Sequence, residues 1–208
     1  MKVIFRLVMV LVLCVGFRVQ AQEMTPDALV KNVTDEVLQL IKQDKDIQSG
    51  SSRKLAELVD AKVLPHFNFA RMAQLAVGKE WQKATPQQKQ LVTAEFKTLL
   101  VRTYSTALAD YKNQRINYKP TKFAPADQEV TVKTEILQPG GKPVQLYYAL
   151  EKTDNGWKVF DVIVGEVSLV YNYRNDFTTE IRNSGFDGLI TSLTAKNKSQ
   201  DSKGSDRK

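Results

Sequence analysis

Few residues in this chain have the types and spacing for chemistry. Asp161 alternates with Val159 and Ile163 in "GWKVFDVIVGEVSLVYNYRNDF", residues 156–177. An acid on an apolar strand face would have its pKa raised by burial and could serve as a general base. The competing reading is a paired carboxylate, satisfied by Arg174 or by the Tyr148 hydroxyl. Glu166, beside Gly165 where the strand is expected to bulge, carries the same two readings. His66 is the single histidine and stands in "PHFNF" with no carboxylate at ligand spacing, so a structural or surface role is expected. The single cysteine, Cys14, lies in an apolar N-terminal run. Phosphate-cradling glycine loops and a G-x-S-x-G elbow are absent, and "PGGK" at 139–142 reads as a hairpin turn.

The elements that would position these groups fall into a clear order. Lys2 and Arg6 precede the apolar run "LVMVLVLCVGF", and "VQA" ends it with small residues at the −3 and −1 positions of a cleavage site. Residues 1–21 are therefore expected to be a secretory signal. The run falls short of the roughly 20 apolar residues of a single-pass anchor, retention as an anchor being the alternative. Cleavage would remove Cys14 and three of the seven excess positive charges. The remaining chain would hold no thiol, so disulfides, zinc-thiolate sites and cysteine nucleophiles are excluded from it. No element interleaves basic residues with exposed aromatics, which argues against nucleic acid as a partner.

Apolar residues at helical spacing begin at Thr25–Pro26, where Thr25 is a candidate N-cap, and recur through 41. Further helical stripes follow over 51–63 and 67–77, the last closed by Gly78. Thr85 and Gln88 form a capping box around Pro86 at the head of a long helix reaching Lys112, about 40 Å of rod. From Arg115 the period changes to two, with strands expected at "RINYK", "QEVTVKTEIL", "VQLYYALEK" and "GWKVFDVIVGEVSLV", turning at "PGGK" and "TDNG". Helical spacing returns after Asn172, ends at Gly185 and resumes briefly in "DGLITSL". Residues 196–208, "KNKSQDSKGSDRK", contain no apolar residue and are expected to be a disordered, charged tail. The order specifies an α+β chain. Its helical part spans about 25–112, its antiparallel sheet about 115–170 and its C-terminal helices about 172–195.

"VLPHFNFARMAQLAVGKEWQKATPQQKQ", "GWKVFDVIVGEVSLVYNYRNDF" and "GFDGLITSL", in this order, resemble the MlaC family of periplasmic phospholipid-binding proteins, also described as toluene-tolerance auxiliary proteins. The resemblance runs from the first helix after the signal to Leu193. It implies a lipid-binding domain over 22–195, with a strongly curved sheet of the nuclear-transport-factor-2-like kind and an apolar pocket between sheet and helices. It also implies a periplasmic shuttle that carries a glycerophospholipid and needs no cofactor. The implied partners are an inner-membrane ABC transporter with a lipid-binding ring and an outer-membrane lipoprotein–porin complex, and the protein itself is expected to be a monomer.

Periodicity alone leaves open whether the apolar faces close as a dry core or enclose a pocket. If a lipid is bound, the helices are expected to supply Phe69, Met72, Leu100, Tyr104 and Leu108. The sheet would supply Val132, Ile136, Leu146, Tyr148, Leu150, Val159 and Ile163. Val167, Leu169, Tyr173 and Phe177 would line or close the pocket where strand turns into helix. Enclosed tails with a solvated headgroup imply little headgroup discrimination. The alternatives are a cone-fold enzyme using Asp161 as a base on a hydrophobic small molecule, and a structural adaptor with a solid core.

Overall fold

A computed structural model describes residues 24–109 and 114–205, with side chains over 24–104 and 114–200. The expected signal at 1–21, Cys14 within it, Tyr111 and Lys112, and the Leu108 side chain lie outside the described residues.

Helix α1 (Pro26–Gln43) begins with Pro26 at its first position, where the missing N–H costs nothing, and Thr25 makes no side-chain cap. The short α2 (Lys45–Gln48) is capped by Asp44, and α3 (Ser52–Lys62) by Ser51. A 3-10 turn at Leu64–His66 leads into α4 (Phe69–Val77), whose Asn68 side chain accepts from the Arg71 N–H at 3.1 Å. Gly78 closes α4 with φ 71°, a left-handed value that favours glycine. Helix α5 (Pro86–Ala109) starts with the expected capping box: Thr85 Oγ1 accepts from Gln88 N–H, and Gln88 Oε1 from Thr85 N–H, both at 3.1 Å.

The sheet is an open antiparallel meander in the order β1 to β5: Arg115–Tyr118, Glu129–Leu137, Val144–Thr153, Gly156–Val164 and Val167–Ser168. The expected fourth strand is really a hairpin. Gly165, with φ 63°, and Glu166 form a two-residue turn, and Val164 pairs with Val167. Gly165 is therefore a turn and not a bulge. The bulge sits earlier: Ala149 faces Asp161 while Leu150 faces Val159, which leaves Phe160 as the extra residue. After it, the strand's alternation is inverted.

The chain leaves the sheet through a 3-10 turn at Tyr171–Tyr173 and enters α6 (Arg174–Ser205). Gly185 is non-helical, φ 69° and ψ −173°, so it separates two helical segments as its place in the sequence suggested. The second segment does not stop near Leu193. It continues to Ser205, where a disordered tail was expected from 196. Asn197 is buried, its side-chain amide nitrogen donating to the Glu95 backbone carbonyl and carboxylate at 3.0 and 2.7 Å and its backbone carbonyl accepting from Arg102. Those bonds to α5 supply what the polar composition of the segment lacks. Among the described residues, no helix is long and apolar enough to cross a membrane.

Three apolar clusters hold these layers. One joins α1, α2 and α3 through Val37, Ile41, Ile47, Leu55 and Val59. Another lies under the sheet, where Leu29 and Val30 of α1 meet Val130, Val132, Leu150 and Trp157. The largest joins α4, α5 and α6 around Phe96, whose ring meets Tyr173 and Phe177 edge-on at 5.2 and 5.1 Å. Phe96→Ala is expected to lower stability by about 3–5 kcal/mol in urea denaturation.

Candidate functional site

The inner face of the sheet is closed at one end and hollow at the other. Val130, Val132 and Leu150 are buried with Trp157, which packs edge-on against Phe123 at 6.3 Å. One or two rungs along the same strands, where Ile136, Val144, Leu146 and Val164 face the helices and no indole fills the gap, a cavity of about 550 Å³ opens. That volume falls in the range of small-molecule sites. Both alternatives left open by periodicity are therefore present on one face.

The helical wall comes from four places. Helix α1 contributes Leu29, Val30, Val33, Thr34, Val37 and Leu38; Val59, Val63, Leu64 and His66 come from α3 and the turn after it. Phe67, Phe69 and Met72 enter from the start of α4, and Leu100, Val101 and Tyr104 from α5. The sheet side adds Ile116, Tyr148, Val159, Val162 and Leu169 to the residues above.

Nine of the expected residues thus meet around one space: Phe69, Met72, Leu100, Tyr104, Ile136, Leu146, Tyr148, Val159 and Leu169. Leu108 belongs to α5, but its side chain is outside the described residues. Val132 and Leu150 lie in the closed part of the same face. Ile163 is on the opposite face because the Phe160 bulge reverses the strand, and the same reversal brings Val162 and Val164 inward. Val167 is exposed at the hairpin, and Tyr173 and Phe177 belong to the α4–α5–α6 core because their helical stripe faces Phe96 rather than the sheet. The α1 stripe was legible as amphipathic, but nothing in it separates a cavity wall from an ordinary packing face.

Polar groups in the cavity are few: Thr34, His66, Tyr104, Gln114, Gln138 and Tyr148. The Thr34 side chain hydrogen-bonds Tyr148, whose hydroxyl burial pushes up to about 12. One residue along, the Tyr118 hydroxyl donates to Asp35 at 3.1 Å; burial, followed by the Asp35 charge, raises its pKa. Lys31 pairs with Asp35 and lies 5.4 Å over the Tyr118 ring. These bonds fasten α1 across β1 and β3. His66 lines the cavity, its pKa lowered first by burial and then by the Lys158 charge. Among the described residues, no group of three or more His, Cys, Asp or Glu is placed to hold a metal ion.

Asp161 does not reach this space. The bulge turns it to the other side of the strand, where it is buried against β5 and the turn that follows. One carboxylate oxygen accepts from the Val162 and Val170 N–H groups at 2.8 and 3.2 Å, and the other from the Ser168 hydroxyl at 2.6 Å. Neither expected partner is used: Arg174 donates to the Leu75 carbonyl at 3.1 and 2.6 Å, and Tyr148 bonds Thr34. Glu166 is an exposed turn residue.

Comparison with known proteins relates this chain to one family. Residues 31–195 match the family described as MlaC protein. The chain is 23% identical over 179 residues to the intermembrane phospholipid transport system binding protein MlaC of Haemophilus influenzae, covering 85% of this chain and 84% of that one. It is 28% identical over 164 residues to the toluene tolerance protein ttg2D of Pseudomonas putida, covering 78% and 76%. Among solved structures, a phospholipid-binding protein from Ralstonia solanacearum, in complex with a phospholipid, superposes with a TM-score of 0.77. Its identity is 40%, over 84% of this chain and 97% of that one.

Asp161 generates a stability prediction. Burial raises its pKa above the ordinary 3.8, against the opposing hydrogen bonds from Ser168, Val170 and Val162. The folded chain then holds that proton more tightly than the unfolded one, so the contribution of Asp161 falls as pH rises through the window between the ordinary and the raised value. Asp161→Asn should flatten that slope in thermal melts across pH while keeping the fold. Asp161→Ala, which strands two N–H groups and a hydroxyl, should cost about 2–4 kcal/mol at neutral pH.

Proposed function

The chain belongs to the MlaC family, and we propose that its cavity carries the acyl tails of a glycerophospholipid moved between two membranes. The observation that carries this reading is the space itself: about 550 Å³, walled by aliphatic and aromatic side chains from four helical segments and the sheet. A solid-core adaptor would have no use for it. The relatives named for intermembrane phospholipid transport and the phospholipid-bound structure point the same way.

Magnitudes explain why the tails are enclosed. Each buried methylene contributes about 0.8 kcal/mol, so two tails of about thirty methylenes set an upper bound near 24 kcal/mol. Water will not take such a lipid back, and release requires contact with a partner offering another apolar path. The nine meeting residues, together with the α1 stripe from Leu29 to Leu38, form the tail-binding surface. The sheet bends at the Phe160 bulge in the manner of the nuclear-transport-factor-2-like fold, and that bend makes room for the tails.

In this reading residues 1–21 direct export to the periplasm and are removed, and residues 22–195 form the lipid-binding domain. The carrier exchanges lipid with an inner-membrane ABC transporter bearing a lipid-binding ring and with an outer-membrane lipoprotein–porin complex. It needs no cofactor and catalyses nothing. Asp161, committed to backbone and Ser168 on the far side of β4, gives the base-catalysis alternative no support.

Native mass spectrometry of the protein purified without detergent should show an added mass of one phospholipid, identified after solvent extraction. A bare protein that stays bare after incubation with lipid vesicles and a membrane donor overturns the reading. Two tryptophan substitutions separate a hollow from a solid face. Leu146→Trp, projecting into the cavity, should displace lipid with little change in stability. Val132→Trp, in the closed part, should instead destabilise by about 1–3 kcal/mol through overpacking.

A further inference from the structure

The cavity has an open end and a blind end. Along β4 its inward side chains run from Val164, 38% exposed beside the hairpin, through Val162 at 9% to Val159 at 4%. Along β3 they run through the half-buried Val144, Leu146 and Tyr148 and stop at Leu150, which is fully buried and no longer part of the wall. Leu29 and Val30 of α1 and Met72 of α4, none more than 9% exposed, line the deep end. Main chain seals the edge of β4 there: Phe67 bridges Val159, and the Asn68 N–H donates to the Val159 carbonyl at 2.8 Å. Behind this end lie Val130, Leu150 and Trp157, packed with the same two α1 residues.

We infer that this blind end limits the length of acyl tail the protein carries, with Leu29 and Val30 as the side chains that stop the tail. The inference rests on the lipid-carrier reading above and adds a selectivity to it. From Val144 to Leu150 the strand advances about 20 Å, at roughly 3.4 Å per residue. One leaflet's tails fill half of a hydrocarbon core of about 30 Å, or about 15 Å. Depth and tail are of one scale, so tails of ordinary length reach the far wall. A tail that fits loses nothing on leaving a bilayer, since its methylenes are buried in either place. Each methylene beyond the limit is left at the open end, where Val164 and Gln138 border solvent, and forfeits about fourfold in transfer from the bilayer. The wall resists yielding because an intruding chain end would have to displace Leu150 or the Trp157 indole from a closed layer, and overpacking such a layer is costly.

The test loads the delipidated full chain from vesicles holding equal amounts of phosphatidylcholines that differ only in the length of their monounsaturated tails, then quantifies the bound lipids by mass spectrometry. The wild-type profile should follow the vesicle up to one length and then fall by about fourfold per added methylene. Val30→Phe, which fills the blind end, should move that cutoff to shorter tails. Leu29→Ala, which removes methyl groups there, should move it to longer ones. Opposite shifts cannot come from a general loss of stability, and if one variant does not fold, the other still decides. Val164→Trp, at the open end, should lower the lipid bound at every length and leave the cutoff in place. A wild-type profile identical to that of the vesicle, or a cutoff unmoved in the folded blind-end variants, overturns the inference and leaves the carrier reading intact. A shift of equal size in Val164→Trp overturns it as well, by placing the limit at the open end. A wild type that takes up no lipid removes both readings.

Discussion

One extra residue in β4 sets the arrangement of everything around it. Phe160 has no partner in β3, so the side chains that follow it swap faces. Val162 and Val164 then join Val159, Tyr148 and Leu146 on the inner face, and Asp161 and Ile163 leave it. Without the bulge an acid would project into an apolar chamber, at the desolvation cost of an unpaired carboxylate. With it, the same acid gathers two N–H groups and a hydroxyl at the point where the chain turns from β4 into β5 and on towards α6. The register defect thus serves the chamber and the connection to the last helix together.

The chamber is the part of the inner face that the helices do not fill. Trp157 and Leu150 complete a dense layer with α1 at one end, and α6 has its own business with α4 and α5 around Phe96. Because the buried members of that third layer include no strand residue, its packing does not require the sheet to be covered along its whole length. A cavity in the centre of a single small core would cost stability in proportion to its volume. Here it lies at the junction of separate clusters, bordered by the first helix, which is tied to the sheet by the hydroxyls of Tyr118 and Tyr148.

Local signals in the sequence were read with little loss where the physics is local. The Thr85–Gln88 box, the Gly78 cap, the hairpins at Gly140 and Gly156 and the interruption at Gly185 each depend on a few neighbouring residues. The errors have non-local causes. Polar composition suggested disorder after residue 196, but bonds to Glu95 and Arg102, about a hundred positions away in sequence, hold Asn197 in a helix. Tyr173 and Phe177 showed a helical stripe, and a stripe does not say which partner it faces.

The sequence by itself determined the α+β order of elements, the antiparallel meander, most of the apolar face from which the cavity is built, and the family through motifs that keep their order. Those are properties of period, turn chemistry and residue type. Only the tertiary structure decided which end of that face stays hollow, that α1 is its opposite wall, and that Asp161 is turned away. Each depends on a bulge or on a packing choice between distant segments. A two-residue period continues unchanged on paper across an inserted residue, while in the folded strand it changes sides.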